Sequence, residues 1–231
     1  MAKLDEYWER LSLAPDDLEA LGHVEDHLRA ERRYDELLHL YEDLAIKVDA
    51  QPAAEYMVRA ARVALDSVNS SARAEGYLRS AIAADPDRSD ARTELRELLL
   101  GRGATEDALL VYEDELREHG KSSETAAGWI EIAELVLGKL DDVGRALNAL
   151  DMAQEADSEN ADVYELRGRI HAERGHPRLV YQCLVQELDV GGDTDERVGR
   201  FQELIESMVR HPRLHPLVLE GAELLRAYRD D

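Results

Sequence analysis

Along most of the chain the apolar residues step by three and four positions, as in Leu95, Leu98 and Leu99 or Ile130, Ala133, Val136 and Leu137. That period puts them on one side of an α-helix, and alternating strand patterns are absent. Glycine or short polar residues interrupt the pattern at Gly101 to Gly103, His119 to Ser123, Asp141 to Asp142, Ser158 to Asn160, Gly175 to His176 and Gly191 to Asp193. Such residues allow the backbone shapes that end a helix. The spacing predicts helix, short turn, helix, repeated as five pairs with further helices at both ends.

The pattern also repeats on a longer scale. Tyr34 to Leu44 and Thr105 to Leu116 share an apolar residue followed by Tyr-Glu-Asp. Aligning these anchors picks out one bulky column, Tyr7, Tyr41, Leu78, Tyr112, Leu150, Leu184 and Leu219, at intervals of roughly 34 to 38 residues. The tetrapeptide His-Pro-Arg-Leu occurs at His176 to Leu179 and again, one repeat length on, at His211 to Leu214. Proline suits a first helical turn, where its missing N–H would have had no partner, so Pro177 and Pro212 are expected to open helices.

Further residues carry a family resemblance. Ala83-Ala84-Asp85-Pro86 has an Asp-Pro turn, Ala156-Asp157-Ser158 a degraded one, and Leu13-Ala14-Pro15 keeps the proline. Small residues recur at Ala74, Ala108, Ala146 and Gly168, where two helices of a hairpin would touch. From about Pro15 onward the chain resembles the tetratricopeptide repeat family. The family's Leu-Gly pair survives only as Arg167-Gly168, and related helix-pair repeats would share the same architecture.

The resemblance implies an all-α fold: an α-solenoid of about five to six stacked antiparallel helix pairs in a right-handed superhelix. A single domain over 1–231 is expected, with residues 1–14 a capping helix, 15–193 the repeats and 194–231 a C-terminal helix pair or cap. The family's inner-helix positions fall on Glu19, Asp26, Arg29, Tyr56, Arg59, Asp66, Thr93, Glu97, Glu131, Glu165, Arg169 and Glu173, a mixed face that leans acidic. Some members grip a client's C-terminal carboxylate with Lys, Arg and Asn. That clamp is not found here, where the asparagines are Asn69, Asn148 and Asn160 and the lysines Lys3, Lys47, Lys121 and Lys139.

Charge narrows the partners. With 51 Asp and Glu against 28 Lys and Arg, the net charge of -23 repels phosphate backbones and anionic lipid surfaces, so neither nucleic acid nor a membrane is expected. A protein or peptide with a basic segment fits that sign, and a second copy of the chain is the other candidate. One cysteine, Cys183, allows no intrachain disulfide, and a cytoplasmic location is expected. At 5% aromatics with a single Phe, Leu, Ala and Val must fill the core.

Little in the sequence asks for catalysis, and no cofactor or metal is expected. His23 and His27 have the i, i+4 spacing of a metal pair but no identifiable third ligand, and the equally spaced His211 and His215 are interrupted by Pro212. Gly120-Lys121-Ser122 lacks the leading glycine and the strand of a phosphate loop and reads as a turn. Cys183 sits in an apolar run and reads as core. Asp16-Asp17 and Asp141-Asp142 stand where helices begin, as caps do.

The function expected is a scaffold or adaptor that presents an acidic concave groove to a protein partner. Two alternatives stay open. Apolar residues on the first helix, Leu4 to Leu11, and on the last, such as Leu217, Val218, Leu219, Ala222, Leu224 and Leu225, would suit self-assembly through the chain ends. A regulatory segment of a larger protein is the other.

Overall fold

Among the described residues, 2–191 and 195–230 of a computed structural model, every regular element is helical. Helix α1 (Ala2–Leu13) stands alone. The rest follow in pairs: α2 (Leu18–Ala30) and α3 (Tyr34–Ala45), α4 (Ala50–Asp66) and α5 (Ser71–Ala84), α6 (Ser89–Gly101) and α7 (Thr105–Glu118). Then come α8 (Ser123–Leu140) and α9 (Val143–Ala156), α10 (Ala161–Glu173) and α11 (Pro177–Gly191), and α12 (Asp195–Met208) and α13 (His215–Asp230). This all-α arrangement of helix pairs fits tetratricopeptide-like repeats.

Local chemistry sets the boundaries. The Asp17 carboxylate accepts the Ala20 N–H at 3.0 Å at the head of α2, and Asp142 does the same for Arg145 at the head of α9. Ser122 and Asn160 cap α8 and α10 in the same way. Each of five pairs turns through one residue of left-handed backbone: Arg32 (φ 57°), Asn69 (57°), Gly103 (75°), Asp141 (52°) and Gly175 (68°). Such a residue closes the first helix and redirects the chain, and glycine adopts the shape without a Cβ penalty. The break at Gly191 to Asp193 falls largely outside the described residues.

Packing falls into two units, one up to Val111 and one from Tyr112 on. In the first, Leu21, Val24 and Leu28 of α2 meet Leu37, Leu38, Tyr41 and Leu44 of α3 and the Ala- and Val-rich side of α4, with Leu11 of α1 joining the same core. In the second, Tyr181, Leu184 and Leu188 of α11 pack with Phe201 and Ile205 of α12, and Leu217, Leu224 and Leu225 of α13 close over them. Ala74, Ala108, Ala146 and Gly168 are all buried, and a Cβ on Gly168 would lie 3.4 Å from that of Cys183.

The apolar column is buried at Tyr41, Leu78, Tyr112, Leu150 and Leu184 and half-buried at Tyr7. Leu219 departs from it, at 69% exposed. Leu217, Gly221, Leu224 and Leu225 form the inward side of α13, and position 219 lies about 200° round the helix from 217.

Two other expectations need correcting. In α8 the buried stripe is Trp129, Ile132, Ala133 and Val136, while Ile130 and Leu137 are only half-buried. Leu116 seats directly on Gly128, which turns that edge of the helix inward. Pro212 opens a 3₁₀ turn (Pro212–Leu214) rather than an α-helix, closed by the Leu214 N–H on the His211 carbonyl at 2.8 Å. Pro216 has no N–H to offer the Pro212 carbonyl, so the α-helix starts afresh at His215.

Candidate functional site

The twelve inner-helix positions divide between the units, Glu19 through Glu97 in the first and Glu131 through Glu173 in the second. Among the described residues, no hydrogen bond or ion pair joins any two of the twelve. Their surroundings sort them into three kinds.

Tyr56 is a wall residue. It is 2% exposed, and its hydroxyl donates to the Pro15 carbonyl at 2.7 Å, so it offers a partner nothing. The expectation of an accessible Tyr56 fails because α4 turns this residue toward the turn before α2. Arg92 and Tyr164, two repeats apart, behave alike: each reaches back six residues to a turn carbonyl, at Pro86 and Ser158.

A second group is already engaged in ion pairs. Arg59 of α4 holds Glu25 of α2 at 3.1 Å and Glu55 at 2.8 Å. Arg88, at the head of α6, pairs with Glu55 and with Asp90, and Arg62 pairs with Glu94 at 2.5 Å. These links form a chain of alternating charge across α2, α4 and α6. Burial works against the Glu55 carboxylate, but the Arg59 and Arg88 guanidiniums outweigh it and hold the group below the usual carboxylate range. In the second unit Arg169 meets Glu134 at 3.2 Å, and Glu165 meets Arg200 at 3.8 Å. Glu19 pairs with Arg10 at 2.8 Å.

The third group stays open to solvent: Asp26, Arg29, Asp66 and Glu97 in the first unit, Glu131 and Glu173 in the second. Thr93 is half-buried. Glu97 lines a cleft of about 360 Å³ between α4, α5 and α6, and Glu131 accepts the Tyr112 hydroxyl at 2.5 Å. Tyr41 places its own hydroxyl on Glu25 at 2.8 Å. Two tyrosines of the repeat column, Tyr41 and Tyr112, thus orient carboxylates on neighbouring first helices.

Glu25, Glu55, Arg62, Arg88, Glu94, Glu134 and Arg200 escaped the sequence reading. A signal was there: Glu25 and Arg59, Arg62 and Glu94, Glu134 and Arg169, and Glu165 and Arg200 are opposite charges 32 to 35 positions apart. That interval is one repeat.

The residues weighed for chemistry have ordinary surroundings. The His23 ring stacks on Tyr7 with centroids 4.2 Å apart, and His27 lies 3.4 Å from Glu31. The His215 ring nitrogen is 3.1 Å from the Val209 carbonyl. Among the described residues no group of three or more His, Cys, Asp or Glu side chains is placed to hold a metal. Burial pushes the Cys183 thiol up from its ordinary value, away from the thiolate a nucleophile requires. Gly120 to Ser122 is the turn before α8, and Trp129 is buried with Arg117 over its ring at 5.8 Å. No helix among the described residues is long and apolar enough to cross a membrane.

No protein-family model matches the sequence, and no curated protein matches it. Among solved structures, the chain is similar to a tetratricopeptide repeat protein from Parabacteroides merdae ATCC 43184, at 16% identity over 77% of this chain and 73% of that one, with a TM-score of 0.46. It is also similar to YrrB, described as a TPR protein with an unusual peptide-binding site, at 16% identity over 85% of this chain and 97% of that one, TM-score 0.44. A third is MamA from Desulfovibrio magneticus RS-1, at 13% identity over 78% and 98%, TM-score 0.44.

Proposed function

We propose that this chain is a non-catalytic, cytoplasmic scaffold whose first helices present acidic surface to a basic segment of a protein partner. One observation carries the reading. Five arginines on these helices or at their heads, Arg59, Arg62, Arg88, Arg169 and Arg200, are engaged by carboxylates of the chain itself. Of the inner-helix positions left open, Asp26, Asp66, Glu97, Glu131 and Glu173 are acidic against Arg29 alone, so the unbalanced charge is negative. A surface of that sign attracts a Lys- or Arg-rich segment and speeds its encounter more than it tightens the final complex.

The test is capture of partners from lysate of the source organism at low salt, comparing wild type with Asp26→Asn/Asp66→Asn/Glu97→Gln. The expected result is a basic protein retained by wild type, released as ionic strength rises toward about 1 M, where the Debye length is about 3 Å, and lost by the variant. Equal capture by both proteins overturns the acidic-surface reading. We also propose that residues 1–231 act as one repeat domain. Unfolding followed separately at Trp8 and at Trp129, one in each unit, is expected to coincide. Two distinct transitions would refute it.

A further inference from the structure

The two His-Pro-Arg-Leu segments, 35 residues apart in sequence, come together in space. Residues 175–179 and 211–214 line one open cleft of about 1180 Å³. They meet directly, Arg178 Nη2 donating to the Arg213 carbonyl at 3.1 Å. A second cleft of about 720 Å³ continues along α11 and α13 as far as Gln186 and Glu220, and Arg178 and Arg213 line both. The two guanidiniums therefore stand at the junction of a groove that follows α11 for about ten residues. At 1.5 Å rise per residue this is about 15 Å, room for four to five residues of extended chain at about 3.3 Å each.

Around the first cleft the charge opposes that of the rest of the molecule; among the described residues the acid lining the groove is Glu220, at the far end of the second cleft. Acids outnumber bases 51 to 28, and ion pairing is the usual condition of an arginine in this chain. Arg174, Arg178, Arg210 and Arg213 on these two turns are exposed, and among the described residues none is in an ion pair. Of these, Arg178 and Arg213 line the cleft, together with His176 and His211. His171, whose ring centroid lies 6.0 Å from that of His176, is held below its ordinary value first by burial and then by the neighbouring His176, Arg167 and Arg174. The floor is apolar: Pro177, Pro212, Leu214 and Leu179, the last 39% exposed. Among the described residues no Phe, Tyr or Trp lines this cleft, and Tyr181 in the adjoining one is 3% exposed, so stacking on nucleic-acid bases has no open platform.

We propose that this corner is a second docking site, one that takes an acidic peptide segment of a partner, with an apolar side chain seated on Leu179 and the prolines and carboxylates on Arg178 and Arg213. Guanidiniums suit the task because their planar donor pairs match carboxylates and lose less order on binding than a lysine does. The site is independent of the acidic surface on the first helices. It has the opposite sign and different residues, and neutralising Asp26, Asp66 and Glu97 leaves it intact.

The test is selection of random heptapeptides displayed on phage against the full chain, counter-selected against Arg178→Glu/Arg213→Glu. Enriched peptides are expected to carry net negative charge and a Leu, Ile or Phe. A fluorescein-labelled copy of the leading sequence is expected to lose affinity about tenfold or more on the double charge reversal and to weaken with Leu179→Ser. Lys47→Glu, a charge reversal in the other unit, is expected to leave binding unchanged. Circular dichroism melts check that the variants fold, and the single variants Arg178→Gln and Arg213→Gln take over if the double reversal does not. Neutral or basic consensus peptides, or binding indifferent to these arginines, overturn the proposal. So does a wild-type dimer in sedimentation that the double reversal dissociates, which would make a second copy the occupant, or tighter arginine-dependent binding of a single-stranded oligonucleotide probe.

Discussion

Glu187 makes a sharp test of the energetics. It lies on α11 at 1% exposure, held by Arg197 at 3.1 Å and by Arg200, both from α12. Burial pushes its carboxyl above the usual range, and Arg200 offsets this only in part. Desolvation thus outweighs attraction, with an asymmetric consequence. Glu187→Gln removes the buried charge, keeps the shape and leaves two arginines that are 20% and 34% exposed and able to reach water. It is expected to lie within about 1 kcal/mol of wild type at neutral pH. Arg197→Met/Arg200→Met leaves a buried carboxylate without its partners and is expected to cost about 3–5 kcal/mol.

The pH dependence has a definite sign. A carboxyl whose folded pKa is raised gives its full stability below the unfolded value and loses it as pH rises through the folded one, so Glu187→Gln gains on wild type as pH rises above the unfolded glutamate value of about 4.3. The cost of the double variant shrinks over the same range in reverse, as the stranded carboxyl takes up a proton. Urea unfolding followed by Trp129 fluorescence in a Trp8→Phe background gives one signal from a probe lodged in the second unit, because the chain has two tryptophans. With a slope of about 1–3 kcal/mol per molar, the double variant's midpoint drops on the order of 2 M. A Glu187→Gln variant as damaged as the arginine variant, or a wild type that gains on it as pH rises, would refute the reasoning.

Three further outcomes follow from named contacts. Arg32 holds a left-handed φ of 57° without being glycine, so Arg32→Gly is expected to stabilise the first unit by about 0.5–1 kcal/mol, and an unchanged or lowered melting temperature counts against this. A Cβ on Gly128 would come 2.5 Å from Leu116 Cδ2, so Gly128→Ala is expected to cost about 1–3 kcal/mol by urea titration, whereas full stability would mean that Leu116 moves aside freely. Leu150→Ala, at a fully buried column position, is expected to cost about 2–5 kcal/mol and Leu219→Ala less than about 0.5 kcal/mol, and equal losses would place Leu219 in a packed interface.

Much of the fold was legible in the sequence because helices are decided locally. Apolar residues three and four apart, caps such as Asp17 and Asp142, and turn residues such as Gly103 and Gly175 act within one or two helical turns, and the repeat column reports which side of each helix faces inward. The sequence also exposed the doubled His-Pro-Arg-Leu, though only as a pair of helix starts. Tertiary structure alone decided the rest. Whether Arg59 faces a partner or Glu25, whether Tyr56 is a contact or a wall, why Leu219 drops out of its column, and that the two His-Pro-Arg-Leu turns share one cleft all depend on docking one helix pair against another. Those contacts join residues some 32 to 41 positions apart, and a side chain's own helix says only which way it leaves the backbone, not what stands opposite.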